Sequence, residues 1–199
     1  AGNDVRVINN GIKLSVFRPT ESDFREKHGI TKTDFMILCV ADNWGGKKGT
    51  DDLRQVAETF GNGFKLVAVG TGSDRLSEKV LRLPRTQGQE ELAEIYTAAD
   101  LFINLTHEDT FPTVNIEALA CGTPVLTYLT GGSGEMVDNS CGSGVKTGDV
   151  DAFLREIKRI AAERPYTAEN CVKKASAYAD TEKFEEYVSL YKELAGEKR

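Results

Sequence analysis

FMILCVADNWGGKKGTDDLRQVAETFGNGFKLVAVG, residues 35–70, joins two apolar runs through a glycine-rich loop and an amphipathic segment. The first run, Phe35–Ala41, is apolar throughout, which is typical of a strand covered on both faces. Gly49–Phe60 carries apolar residues at helical spacing, and Lys65–Gly70 contains the second apolar run. A strand, a helix and a strand in this order predict parallel pairing through a right-handed crossover.

The same alternation continues along the chain. Further strands are predicted at Lys79–Leu83, Leu101–Leu105, Pro124–Leu129 and Ser143–Thr147, and further helices at Glu91–Ala99 and Thr113–Ala120. The predicted fold class is therefore α/β, a Rossmann-like, doubly wound parallel sheet of about six strands.

The two ends of the chain follow other patterns. VRVIN (Val5–Asn9) predicts a strand before a turn at the following glycine, and residues 150–199 contain helical patterns without a strand between them. Pro165 should interrupt these helices, and Asp149 or Asp151 is positioned to cap the first. We expect one domain over residues 1–199 with a mainly helical C-terminal segment, cut from a longer protein.

Composition excludes several classes of function. The 199 residues carry 25 Lys and Arg against 31 Asp and Glu, a net charge of −6, which disfavours broad nucleic-acid binding. No apolar run approaches the ~18 residues of a membrane span, and no signal-peptide pattern is present. The four cysteines are widely spaced and only two histidines occur, so no zinc set is predicted. Reduced thiols in a cytoplasmic protein are the simplest interpretation.

Ligands of open parallel sheets bind beyond the carboxyl ends of the strands, where two glycine-containing loops are found. DNWGGKKG (Asp42–Gly49) places Lys47 and Lys48 beside a helix N-terminus, as a phosphate site would, although solvated lysines on a glycine-rich turn fit the same residues. VGTGSD (Val69–Asp74) contains GxG but has Arg75 where a dinucleotide fingerprint needs its third glycine, which disfavours an NAD site.

A third loop, within THEDTFPTVNIEALACGTPV (residues 106–125), carries Glu108 and Asp109 after a predicted strand. The backbone N–H groups of Thr113 and Val114 would be free at the following helix start and could hold an anion. The two carboxylates could accept hydrogens from sugar or ribose hydroxyls. The alternative is that they cap the helix, with Glu117 a surface residue.

Six blocks in this order resemble the C-terminal, donor-binding half of retaining glycosyltransferases of the GT-B fold, in the large family 4 group. The blocks are Ile8–Pro19, Lys47–Leu53, Val67–Gly72, Glu91–Asn104, Glu108–Leu126 and Gly131–Val137. The resemblance runs from Val7 to about Leu154, and EDTFPTVNIEALACGTPV is its most specific block.

The resemblance implies a site for a nucleotide-diphosphate sugar. Lys48 is then expected to bind the diphosphate, and Glu117, the second acid of the family's Glu-x7-Glu pattern, the ribose hydroxyls. Asp109 stands where the family has its first Glu, so Asp109 and Glu108 share the sugar-contacting role, and both join Lys48 as candidate catalytic residues. The remaining donor-binding candidates are Lys47, Gly70, Gly72, Leu83, Pro84, Arg85, Phe111, Pro112, Thr113 and Val114.

Two positions depart from the family pattern. Asn43 stands where the family commonly has a phosphate-binding Arg, so either Lys47 or Arg85 takes that role or phosphate binding is weaker. Lys13 replaces a common Asp. The matching loops contain no metal-binding DxD pattern, and the resemblance implies catalysis without a metal or other cofactor.

The implied protein is a transferase of polysaccharide biosynthesis that moves a sugar onto a saccharide or lipid-linked acceptor. Its N-terminal acceptor domain would be absent from this chain, the isolated domain would be inactive, and any contact with a membrane surface would come through the missing half. Two alternatives remain open: a nucleotide-sugar isomerase of the same fold, and a non-catalytic nucleotide- or protein-binding α/β module.

Overall fold

The computed structural model describes residues 5–196, and a parallel sheet forms its centre. The strands are β1 (Phe35–Asn43), β2 (Phe64–Thr71), β3 (Leu81–Leu83), β4 (Leu101–Asn104), β5 (Val125–Tyr128) and β6 (Gly142–Val145). They are ordered β3-β2-β1-β4-β5-β6, and every neighbouring pair is parallel. The α/β fold class and the six predicted strands are confirmed.

Helices cover both faces of this sheet. They are α1 (Phe24–Lys27), α2 (Thr50–Thr59), α3 (Gln89–Ala98), α4 (Thr113–Ala120), α5 (Val150–Glu163), α6 (Ala168–Ala175) and α7 (Asp180–Leu194). Alternate residues of β1 enter two separate cores because successive strand side chains point to opposite faces. Met36 and Leu38 pack with α3, α4 and α6, whereas Ile37 and Cys39 pack with α2 and α5.

The C-terminal segment is helical, as predicted. The Asp149 carboxylate caps α5 by accepting a hydrogen bond from the backbone N–H of Ala152 at 2.9 Å. This helix ends at Glu163, just before Pro165. The helix α6 ends at Ala175 and is followed by a 3-10 turn at Ser176–Tyr178.

The predicted strand at Val5–Asn9 is wrong. These residues are irregular, with Val5 and Val7 exposed, and they pair with no strand of the described sheet. The chain instead meets the C-terminal segment at Ile12, whose N–H donates to the Tyr178 carbonyl at 2.9 Å. Alternating valines favour a strand only where a sheet edge is available to pair with them.

All four cysteines are free and buried, as the interpretation of reduced thiols expects. Within residues 5–196, no helix is long and apolar enough to cross a membrane.

Candidate functional site

The strand order reverses between β1 and β4, which are neighbours at the centre of the sheet. The loops that leave their carboxyl ends therefore lie side by side, at the position where open α/β sheets bind ligands. The carbonyl of Lys47 accepts hydrogen bonds from the His107 N–H at 2.7 Å and the Thr106 hydroxyl at 3.3 Å. Gly49 has a φ of +71°, and a Cβ there would stand 2.1 Å from the Leu105 carbonyl oxygen, so the loops touch through backbone.

The two lysines of the loop after β1 each meet one carboxylate of the loop after β4. Lys48 Nζ lies 3.0 Å from Asp109 Oδ2, and Lys47 forms an ion pair with Glu108. The Lys48 and Asp109 side chains are 38% and 24% exposed, whereas those of Lys47 and Glu108 are both 64% exposed. The structure thus brings together all four charged residues predicted for these loops and makes Lys48–Asp109 the inner pair.

The N-terminus of α4 is open. Pro112 occupies the N-cap position without a side-chain cap, and the N–H groups of Thr113 and Val114 have no acceptor within residues 5–196. The proposed capping role of the loop carboxylates is wrong, because Asp109 Oδ1 accepts from the Phe111 N–H at 3.2 Å, ahead of the helix. Free N–H groups and the positive end of the helix dipole favour an anion here.

Glu117 is half-buried one turn into α4 and is therefore no ordinary surface residue. Its Oε2 accepts a hydrogen bond from the Tyr96 hydroxyl at 3.1 Å. Burial raises the pKa of the Glu117 carboxyl above its ordinary value, while hydrogen bonds from Tyr96 and Thr113 act in the opposite direction. The carboxylate therefore lacks part of the solvation that it would have in water.

A cavity of about 340 Å³ connects Glu117 to the ends of β1 and β2. Gly70 and Arg85 line it, as does Asp42, which pairs with Arg85 at 2.9 Å. Gly70 has a φ of +138°, and a Cβ there would stand 1.7 Å from the Ala41 carbonyl oxygen, so close strand packing requires the glycine. The volume lies within the usual range of small-molecule sites.

Three predicted residues lie beside this cavity and are not among its described lining residues. Gly72 turns the chain next to Asn43 and Trp44, the Leu83 carbonyl accepts from the Ser73 hydroxyl at 2.9 Å, and Pro84 is exposed. The segment Thr86–Gln89, which sequence reasoning did not select, lines the cavity instead. Its only sequence signal is its polar composition after a strand.

The loop after β5 packs against the loop after β4. Gly131 has a φ of +48°, and a Cβ there would stand 1.9 Å from the Asp109 carbonyl oxygen. The neighbouring Gly132 donates its N–H to the Thr110 carbonyl at 2.8 Å. A broad cavity of about 810 Å³ adjoins this contact, lined by Glu108, Asp109, Phe111 and residues 7–10.

Sequence reasoning also missed two residues behind the lysine–carboxylate pairs. His107 Nε2 lies 2.7 Å from Asp52 Oδ2, although 55 residues separate them in the chain. His107 had a signal in its position beside Glu108, whereas Asp52 resembles an ordinary acidic residue in a first helical turn. Within residues 5–196, no group of three or more His, Cys, Asp or Glu residues could hold a metal, and independence of metal remains a prediction.

Known proteins resemble this chain in sequence and in fold. A D-inositol 3-phosphate glycosyltransferase of Mycolicibacterium smegmatis is 28% identical over 177 residues, covering 81% of this chain and 41% of that protein. A sucrose-phosphate synthase of Thermosynechococcus elongatus superposes with a TM-score of 0.82 at 25% identity, covering 97% of this chain and 53% of that one.

HepE of Anabaena, solved in complex with UDP and glucose, shares the fold with a TM-score of 0.83 at 18% identity, covering 94% of this chain and 57% of that one. The chain thus spans about half the length of these relatives, between 41% and 57%. The profile of the glycosyl transferases group 1 family matches residues 20–178, about four fifths of the sequence. The chain belongs to the glycosyl transferases group 1 family.

Proposed function

We propose that this chain is the donor-binding half of a retaining glycosyltransferase, which moves a sugar from a nucleotide-diphosphate sugar to a saccharide or lipid-linked acceptor. The observation that carries the proposal is the grouping of Lys48, the open N-terminus of α4 and Glu117 at the centre of the sheet's carboxyl edge. These features suit a diphosphate and a ribose at adjacent positions.

The charged pairs of this site could exchange partners when a diphosphate binds. The cations of Lys47, Lys48 and Arg85 each pair with one carboxylate. Arg85 lines the cavity of about 340 Å³, and Lys48 lines a smaller cavity together with Val114 in the first turn of α4. A diphosphate bound at α4 would replace Asp109 as a partner of Lys48 and release that carboxylate toward the sugar hydroxyls. The same cation and helix terminus would then stabilise the charge that grows on the leaving nucleoside diphosphate.

Glu117 is suited to the ribose. Glu117 lines the cavity, and the hydrogen bond from the Tyr96 hydroxyl fixes the position of its carboxylate. A carboxylate can accept hydrogen bonds from two vicinal hydroxyls, and its partial burial strengthens such bonds. The nucleobase would then lie toward Arg85 and Thr86, at the outer end of the cavity.

An exposed apolar surface supports the proposed preceding half. Phe184, Tyr191 and Leu194 on α7 are 65%, 65% and 75% exposed, and Val7 of the irregular N-terminal segment is 82% exposed. The irregular segment lies against this helix, since the Tyr187 hydroxyl donates to the Ile8 carbonyl at 3.4 Å. A contiguous apolar surface of this kind commonly marks an interface. The acceptor site, and any contact with a membrane surface, would belong to that other half of a cytoplasmic protein.

Titration of the 199-residue chain with UDP, GDP, ADP and their sugars tests the proposal. We expect one nucleoside diphosphate to bind, with no sugar transfer to saccharide or lipid acceptors in a radiolabelled donor assay. Failure of every nucleotide to bind would favour the non-catalytic module, and an epimerised nucleotide sugar would favour the isomerase. Robust transfer by this chain alone would contradict the assignment as a donor half.

A further inference from the structure

Asp52 is a buried acid that no role in donor binding explains. It lies in the first turn of α2, and its side chain is 13% exposed. Its Oδ2 atom accepts hydrogen bonds from the Tyr128 hydroxyl at 2.9 Å and from His107 Nε2 at 2.7 Å. A buried carboxylate is costly unless its partners are fixed, so this arrangement constrains the side chains that surround it.

His107 contacts several elements that carry the site, and its side chain is 41% exposed. Its ring stands edge-on to Tyr128, with centroids 5.5 Å apart and an interplanar angle of 83°. Its backbone N–H donates to the Lys47 carbonyl at 2.7 Å, and its carbonyl accepts from the Thr130 hydroxyl at 3.1 Å. One residue therefore connects α2, the loop after β1, the loop after β4 and the end of β5.

The sequence positions of these contacts give them a consequence for the ligand site. His107 immediately precedes Glu108, and Lys47 immediately precedes Lys48. A shift of the His107 backbone would therefore change the separation of the two lysines from the two carboxylates. The Asp52–His107 hydrogen bond is the side-chain contact best placed to prevent that shift. It joins the loop after β4 to the helix α2 rather than to another loop.

We propose that Asp52 and His107 are positioning residues, and that their hydrogen bond sets the donor affinity by fixing the loop of Glu108 and Asp109 against the loop of Lys47 and Lys48. The inference rests on the proposed function for its effect on donor binding. The imidazole is assigned a positioning role because its Nε2 is directed at Asp52 rather than at the lysine–carboxylate pairs that would meet the ligand.

Backbone amide exchange of the unliganded chain tests the positioning itself. In His107→Ala and Asp52→Asn we expect faster exchange at residue 107, whose N–H bonds to Lys47, and across residues 44–48. His107→Gln, whose amide can still donate to Asp52, should restore protection. Asp100→Asn is the matched control, since Asp100 is a 21% exposed carboxylate that joins other elements at the opposite edge of the sheet. Unchanged exchange in both His107→Ala and Asp52→Asn would overturn the proposal.

Titration with UDP-glucose tests the effect on the donor. We expect His107→Ala to weaken UDP-glucose binding about tenfold, the order for loss of one hydrogen bond to a charged group, and His107→Gln to remain near the wild type. Equal weakening by both variants would overturn the positioning role, because it would mean that the imidazole contacts the donor. If the wild-type chain binds none of the nucleotides tested, the proposed function fails, and the exchange experiment still decides whether Asp52 and His107 hold the loops.

Discussion

The two edges of the sheet use ion pairs in different ways. At the carboxyl edge, Lys48 meets Asp109 and Arg85 meets Asp42, so that each cation has a single carboxylate partner. At the amino edge, Asp100 binds Arg25 at 3.0 Å, pairs with Arg164 and accepts the Met36 N–H at 2.7 Å.

This difference distinguishes an arrangement that suits a structural role from one that suits ligand binding. The amino-edge carboxylate has partners on both oxygens and on three elements of the chain, and the Arg25 and Asp100 side chains are only 24% and 21% exposed. The carboxyl-edge cations face solvent or cavities, and exposed one-to-one pairs contribute little to stability. We infer that the first cluster stabilises the fold, whereas the second holds charges that a ligand can recruit.

The largest expected effect is on stability, at the amino edge. Asp100→Ala leaves the partly buried Arg25 guanidinium without its carboxylate and Met36 N–H without its acceptor, which should cost about 3 kcal/mol of unfolding free energy. Denaturant unfolding measures the loss. Nucleotide affinity of the folded variant should stay at the wild-type value, and a parallel loss of affinity would contradict the separation of the two edges.

The next effect is on binding, at the carboxyl edge. Lys48→Ala should weaken nucleoside-diphosphate binding by ~1.5–3 kcal/mol, the worth of a charge-assisted contact, and leave the free nucleoside nearly unaffected. Calorimetry on both ligands measures the difference. Lys79→Ala is the matched control, because Lys79 also pairs with one carboxylate, that of Glu58, but away from the site. Equal losses for both ligands would move Lys48 away from the phosphates.

Substitution of Glu117 should have opposite effects on thermal stability and on nucleotide affinity. Burial raises its pKa in the folded chain, so the ionised group opposes folding at neutral pH, and its contribution to stability improves as the pH falls toward that raised pKa. Glu117→Gln should therefore raise the melting temperature slightly at pH 7. It should also weaken UDP binding about tenfold, while barely changing binding of the analogue without the 2′- and 3′-hydroxyls.

Thermal unfolding of Glu117→Gln measures the expected rise in melting temperature. Titration with UDP and with the analogue that lacks both hydroxyls measures the expected loss of affinity. A melting temperature that falls together with affinity for both ligands would show that Glu117 acts through the fold, and the ribose assignment would fail.

The smallest effect should come from the outer pair. Lys47 and Glu108 are each 64% exposed, so Lys47→Ala should change the unfolding free energy by less than ~1 kcal/mol. Donor affinity should fall only a few-fold, through weaker long-range attraction, and this loss should shrink at high salt. A loss as large as that of Lys48→Ala would mean that Lys47, rather than Lys48, is the main diphosphate contact.

Most of the sheet could be predicted because each central strand is an apolar run that both cores need. Phe35–Ala41 fills two cores at once, as a strand with helices on both faces of its sheet does. The strand prediction at Val5–Asn9 was wrong because alternating apolar residues predict a strand without showing that a sheet edge is available for pairing. The helix α1 escaped notice because four residues are too few to show a helical period.

The residues of the candidate site also fall into those that the sequence could predict and those that depend on tertiary packing. Lys48, Asp109 and Glu117 could be selected because parallel strands bring their following loops to one edge, and the family resemblance identified the residues on those loops. The link between Asp52 and His107 depends on how α2 packs against the loop after β4, which no local pattern encodes. Gly72 has a left-handed φ of +78° in a turn beside Trp44, and its contact with a donor stays a prediction.

The strand order also divides the site between two separable parts of the polypeptide. Lys47, Lys48 and Gly70 belong to the unit ending at β2, whereas Asp109 and Glu117 belong to the unit that begins with β3. The exposed turn at Glu78 and Lys79, just before β3 and outside the lining of the 340 Å³ cavity, is therefore a natural place to divide the chain for fragment complementation. Neither piece would hold both Lys48 and Glu117, so recovered nucleotide binding would report reassociation of the two pieces at the β1–β4 seam.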